Sequence, residues 1–181
     1  MLENRNIDIK EMIGNKDFFS REFLIWLWYV SEKKQGHYIL PDNTEIMIFI
    51  EDKLVLEELF GEQEDSFKGG IPSESPEAKY ALKSGKIIKE CKIKITKGTV
   101  SLNEQQLEWT FNFKANGFNI TSIKLPPLDI KDYREKFKQR VQLLEELYDY
   151  IAGLYKSFLK VRLHGENWKK EIENIKKWIE S

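Results

Sequence analysis

Few residues in this 181-residue chain combine the type and spacing that chemistry needs. The two histidines, His37 and His164, lie far apart, each beside a glycine where a helix should end, so a cap or loop role fits them better than metal ligation or proton transfer. Cys91, the single cysteine, falls on the apolar side of an alternating stretch with no histidine nearby to activate it, which is the pattern of a buried structural thiol. Two triplets, Glu51-Asp52-Lys53 and Glu90-Cys91-Lys92, match the acid-x-Lys spacing with which restriction-type nucleases hold a metal and steady charge. Among 29 basic and 30 acidic residues such triplets arise by chance, and the first coincides with an expected turn, so a metal-dependent nuclease is the weakest reading. There is no Gly-rich phosphate loop, zinc-ligand spacing or nucleophile elbow. No catalytic residue, metal or cofactor is expected, and the chain reads as a non-enzyme.

A more suggestive pattern lies in the lysines. Lys86, Lys89, Lys92, Lys94 and Lys97 crowd one alternating segment and its ends, and Lys114 and Lys124 can extend the patch onto neighbouring strands. Amines so arranged can pair with phosphates, which makes Lys86, Lys89, Lys92, Lys94, Lys114 and Lys124 the candidate DNA-phosphate contacts. The plainer reading is that exposed strand faces carry lysine for solubility and to discourage edge pairing. Aromatic residues such as Trp109 fall on the opposite face, so a base-stacking platform for single strands is not expected. With a formal net charge of −1, any anionic partner must be held by a local patch rather than by the whole-molecule field.

These side chains need elements to position them. Arg21-Glu22 precedes the apolar run Phe23–Val30; with Phe19, Phe23, Trp26, Leu27 and Val30 at three- and four-residue spacing, it reads as a helix apolar all round, central to the core or else part of an interface. The run is too short for a membrane span, which needs about 20 apolar residues. A break at Gly14-Asn15, an N-cap at Asp17 and a stop at Gly36 frame the helix. Leu40-Pro41-Asp42-Asn43 is turn chemistry. Thr44–Ile50, a tight turn at Glu51-Asp52 and Lys53–Leu59 then read as a hairpin closed by Gly61, its first strand apolar on both faces and therefore covered on both. Residues 62–75 read as a loop with a short strand near Phe67. Ser75-Pro76-Glu77 starts a short helix that Gly85 stops.

Alternating segments at about 87–96, 106–115 and 118–125, the last two joined by Asn116-Gly117, read as an antiparallel meander, with a bulge near Thr121-Ser122 to reconcile the phase of Phe118 and Ile120 with that of Ile123 and Leu125. Beyond Pro126-Pro127, Phe137, Leu144, Ile151 and Phe158 lie seven apart and Val141, Tyr148 and Tyr155 widen the stripe, giving one long amphipathic helix to Arg162. Trp168, Ile172, Ile175 and Ile179 mark a last helix whose Lys169, Lys170, Lys176 and Lys177 face out. The expected fold is a single α+β domain over 1–181, with an antiparallel or mixed sheet of about five to six strands packed by the apolar N-terminal helix and the long C-terminal helix; 127–181 forms a helical extension packed on it. With one cysteine and no charged-then-apolar leader, the default expectation is a cytoplasmic protein.

Two stretches resemble recombination-associated proteins of the RdgC type. Arg21-Glu22-Phe23-Leu24-Ile25-Trp26-Leu27-Trp28 is similar to the Gly-Arg-Glu-Phe-Leu-x-Trp-Leu-Trp signature of short bacterial proteins given that label, with Ser20 in place of the Gly. Glu77-Ala78, Ala81-Leu82-x-x-Gly85-Lys86 and Ser122-Ile123-Lys124-Leu125-Pro126 resemble the family's acidic-helix, Gly-Lys and Leu-Lys-Leu pattern. The resemblance covers about 20–126 and implies a non-enzymatic, sequence-nonspecific DNA-binding protein that modulates recombination. Full-length members close a dimeric ring around duplex DNA, whereas this chain is much shorter. DNA and a homodimeric partner are therefore the expected partners, with no membrane role; the alternative is a protein-interaction or assembly module without nucleic-acid activity.

Overall fold

The structure, a computed structural model, describes residues 16–33, 35–58, 63–70, 75–98 and 106–181. In chain order its elements are α1 (Lys16–Lys33), β1 (His37–Ile39), β2 (Glu45–Glu57), β3 (Glu64–Lys68), α2 (Pro76–Lys83), β4 (Ile87–Lys97), β5 (Leu107–Lys114), a 3-10 turn (Asn116–Phe118), β6 (Asn119–Lys124), α3 (Tyr133–Arg162) and α4 (Gly165–Glu180). The six strands make one antiparallel sheet in the order β1-β2-β4-β5-β6, with β3 beside β1 along the same edge of β2. The α+β class and the antiparallel sheet follow the sequence pattern.

Strict alternation makes β4 and β5 two-faced. Cys91, Ile93 and Ile95 pair across the ladder with Phe113, Phe111 and Trp109, and all six are buried on the inner face. β2 adds Ile46, Ile48, Ile50, Leu54 and Leu56 to the same face. The helices supply the other half of the cluster: Phe23, Trp26 and Leu27 from α1, Ala78 and Leu82 from α2, Leu147, Leu154 and Phe158 from α3, Ile175 from α4. Burying one such Phe or Leu contributes about 1.5–3 kcal/mol. Met47, Phe49 and Val55, on the opposite face of β2, stay outside this cluster. Cover on both faces of that strand was expected; instead its outer face is shielded by neighbouring side chains, with the Lys94 ammonium 5.6 Å from the Phe49 ring centroid.

The expected hairpin at Glu51-Asp52 is instead a single strand of 13 residues. A two-residue turn needs positive φ at its centre, usually supplied by Asn-Gly, Asp-Gly or Gly-Gly, and Glu51-Asp52 contains no glycine. Between the pairs Ile50↔Ile93 and Leu54↔Cys91, three residues of β2 oppose one of β4, so Glu51-Asp52-Lys53 forms a bulge and the strand runs on. The closure expected at Gly61 and the break at Gly14-Asn15 lie outside the described residues. Residues 37–39, unassigned from the pattern, form β1, joined to β2 through a turn in which the Asn43 amide donates to Leu40 O at 2.9 Å.

Helix boundaries obey local signals. Ser75 accepts from the Ala78 amide, Pro76 takes the first helical position, and Gly85 follows the last turn at φ 96°. Asp132 caps α3 by accepting from the Glu135 amide at 2.8 Å. α1 begins at Lys16, which places Asp17 inside its first turn rather than before it. It ends in a Schellman motif: the Gly36 amide reaches Ser31 O at 2.6 Å and the Gln35 amide reaches Glu32 O at 3.2 Å, with Gln35 at φ 51°. A Cβ on Gly36 would stand 2.7 Å from the Phe49 ring and 3.0 Å from Ile48 O at φ 85°, so this corner favours glycine. The bulge expected in the last strand is present: Thr121 and Lys124 pair with Asn112 and Thr110, leaving two residues opposite Phe111, and Ser122 has φ 54°.

Candidate functional site

The charged residues of the opening motif act as clasps on α1. Arg21 donates to Glu57 at 3.1 Å, and Glu22 accepts from Arg162 at 2.6 Å, whose guanidinium lies 5.6 Å from the Phe19 ring and 5.0 Å from the Trp168 ring. Glu171 on α4 accepts from the Trp26 indole at 3.2 Å. Glu32 gathers three donors, the indoles of Trp28 and Trp178 and the Lys79 ammonium, the last at 3.0 Å. The buried Ser20 hydroxyl donates to Ala115 O at the turn before β6. These groups are half-buried and tied to partners in other elements, so the motif serves packing.

The outer face of the sheet brings the candidate lysines together as the alternation implies, but not alone. Lys86 meets Asp65 at 2.7 Å, Lys89 meets Glu64 and Glu57, Lys92 meets Asp52 at 3.0 Å, and Lys94 meets Glu51 and Glu108. Lys97 stands 3.8 Å from Glu146, and its hydrogen bond with Tyr150 raises its pKa. The two acid-x-Lys triplets lie side by side and neutralise each other, Lys53 bonding Glu90 at 2.7 Å while Lys92 takes Asp52. This is a lattice of alternating charge. Lys114 and Lys124 are exposed and form no ion pair among the described residues. The carboxylates come from β2, β3, β5 and α3, and only the strand pairing brings them to the lysines.

No three His, Cys, Asp or Glu side chains gather to hold a metal among the described residues. Burial pushes the Cys91 thiol far above its ordinary pKa, so it remains protonated and unreactive. His37 opens β1 with Glu45 at 3.7 Å, and His164 stands exposed between α3 and α4. An open groove of about 560 Å³ between β3 and α2 is lined by Asp65, Phe67, Tyr80, Ser84 and Lys86. The Lys86–Asp65 pair spans its wall, and the groove lacks the enclosed apolar lining of a small-molecule site.

Among the described residues, the exposed apolar side chains gather chiefly on α3, with Ile39, Tyr80 and Leu163 exposed singly elsewhere. The core-facing row of α3 begins at Leu143, ten residues after the helix starts, and continues through Leu147, Tyr150, Leu154 and Phe158. The neighbouring row, Tyr133, Phe137, Val141, Leu144 and Tyr148, remains outside the core cluster; Tyr133 is 81%, Phe137 60% and Tyr148 48% exposed. The heptad stripe legible in the sequence thus enters the core in its second half, at Ile151, Tyr155 and Phe158, and stays outside it in its first. Periodicity identifies the stripe but not which half the body covers. Lys131, Arg134, Lys136, Lys138 and Arg140 surround its start, none in an ion pair among the described residues. No helix among the described residues is long and apolar enough to cross a membrane. No family model, curated protein or solved structure matches the chain.

Proposed function

We propose that the chain is a non-enzymatic protein-interaction module, an α+β body that presents the first half of α3 as a docking helix. The observation that carries this reading is a stripe on one helix face outside the core, Tyr133, Phe137, Val141 and Tyr148 exposed with half-buried Leu144 among them. Large apolar side chains contiguous on a surface mark association sites, and a stripe at three- and four-residue spacing fits a second helix. A photoreactive phenylalanine analogue in place of Phe137, activated in the cells that make the chain, should yield a discrete polypeptide adduct that Val141→Glu abolishes. The same analogue at Gln142, on the far side of the helix, should yield none. No adduct from position 137, or an equal adduct from position 142, rejects the reading.

A second reading, sequence-nonspecific DNA binding that modulates recombination, is supported by the exposed Lys114 and Lys124 and by the resemblance to RdgC-type proteins. The paired lysines of β4 weaken it, because a phosphate must displace a carboxylate already in place. If the chain binds duplex DNA, log affinity falls linearly with log salt, and Lys114→Glu with Lys124→Glu lowers both affinity and slope. Absence of binding to duplex and single-stranded DNA at low salt eliminates it.

A further inference from the structure

We infer that the occupant of the α3 stripe is a second copy of the chain, its α3 running antiparallel to the first across residues 133–148. This rests on the docking role proposed for that helix and adds the partner, the direction and the register. The argument comes from charges beside the stripe. Arg134, Lys138, Glu145 and Asp149 follow one another at spacings of four, seven and four along the flank next to Phe137, Val141 and Leu144, so they form one row on one side of it. The row is basic in its first two turns and acidic in its last two. None of the four forms an ion pair among the described residues.

Within the row, neighbouring charges repel, offset in part by Glu135 three residues before Lys138. Arg134 and Lys138 are like charges at i,i+4, and so are Glu145 and Asp149; such pairs destabilise a helix. Against a reversed copy the same row is complementary. Centring two antiparallel helices near residue 142 sets Lys138 beside Glu145 of the second copy and Arg134 beside its Asp149. The same register stacks Phe137 on Tyr148 and Val141 on Leu144, each contact occurring twice about the two-fold axis. A parallel pair would set the basic turns, including Lys136 and Arg140, against each other. Antiparallel pairing also places the two bodies, each attached at the second half of its own α3, at opposite ends of the helix pair. Sixteen paired residues span only about 24 Å, so the contact is at the small end of specific interfaces.

Sedimentation equilibrium on the full chain tests this. The wild type should be a concentration-dependent dimer. Val141→Glu should weaken it roughly 100-fold and Lys138→Glu roughly tenfold, and Lys138→Glu with Glu145→Lys should return it to within about threefold of wild type. An unchanged unfolding midpoint in the Val141→Glu monomer would show that the body is intact. Under mild oxidation Lys138→Cys with Glu145→Cys should form an interchain disulfide. Lys138→Cys alone should not, because the two 138 positions are offset by seven residues, about 10 Å along the axis and beyond disulfide reach. A monomer at every accessible concentration, a dimer indifferent to Val141→Glu, or cross-linking by Lys138→Cys alone overturns the inference. A monomer that still gives the Phe137-position adduct with a different polypeptide would retain the docking role while rejecting the second copy.

Discussion

Burial holds the Glu22 carboxyl above the usual carboxylate range, against the opposing pull of the Arg162 guanidinium 2.6 Å away. The sign of the resulting pH dependence follows from proton counting. Between the ordinary carboxylate pKa and the raised value of Glu22, the folded chain holds more of this proton than the unfolded chain, so the contribution of Glu22 to stability falls as pH rises through that window. Urea unfolding over a pH series should therefore show wild type losing ground to Glu22→Gln as pH increases there; a difference that grows with pH contradicts the assignment. Arg162→Met leaves the carboxylate buried without its counter-charge. It should lower stability by roughly 2–3 kcal/mol at neutral pH, at or below the low end of the fully buried range because the Glu22 side chain keeps 22% of its exposure. The Arg-Glu dipeptide is visible in the sequence, but its partners Glu57 and Arg162 lie 36 and 140 residues away. Local pattern therefore places Arg21 and Glu22 on a helix without giving them a purpose.

Among the elements, the boundary between α1 and β1 gives the sharpest expectation. Gln35 holds a left-handed conformation that only glycine adopts freely, whereas Gly36 needs both its positive φ and the space taken by the Phe49 ring. Gln35→Gly should raise stability by about 0.5–1 kcal/mol, and Gly36→Ala should lower it by about 1–3 kcal/mol, both read from denaturant midpoints. A loss from Gln35→Gly or no effect from Gly36→Ala would mean that the corner adopts another conformation. Elements with their signals inside themselves are legible from sequence: the Ser75-Pro76 start and Gly85 stop of α2, and the alternation of β4 and β5. β2 defeats the same reading. Its Glu51-Asp52-Lys53 bulge resembles a turn until Lys92 and Glu90 on β4 supply the partners that make a polar interruption acceptable within a strand.

On the scale of the whole molecule, the near-zero net charge comes from a fine mixture of charges rather than from separate poles. Lys92, Lys94, Lys114 and Lys124 of the candidate DNA-phosphate set are legible as a group because alternation puts them on one face, while Lys89 joins them through the irregularity between Ile88 and Glu90 and Lys86 from just before β4. The carboxylates that meet Lys86, Lys89, Lys92 and Lys94 are not legible, because strand order decides which acids come near. The α3 stripe is legible in full as a heptad pattern, and only the extent of the body decides where it becomes surface.

The clasp between α1 and α4 also bears on how the chain comes to be folded. Trp26 finds its acceptor 145 residues later, and Trp178 reaches back 146 residues to Glu32. At synthesis rates of about 5–20 residues per second, an interval of about 7–30 s separates emergence of the most apolar helix from emergence of the last helix that secures it. Tyr38 and Phe158 reach Trp26 earlier, but over that interval Trp26 lacks its Glu171 acceptor and Trp28 lacks the Trp178 ring that stands edge-on to it.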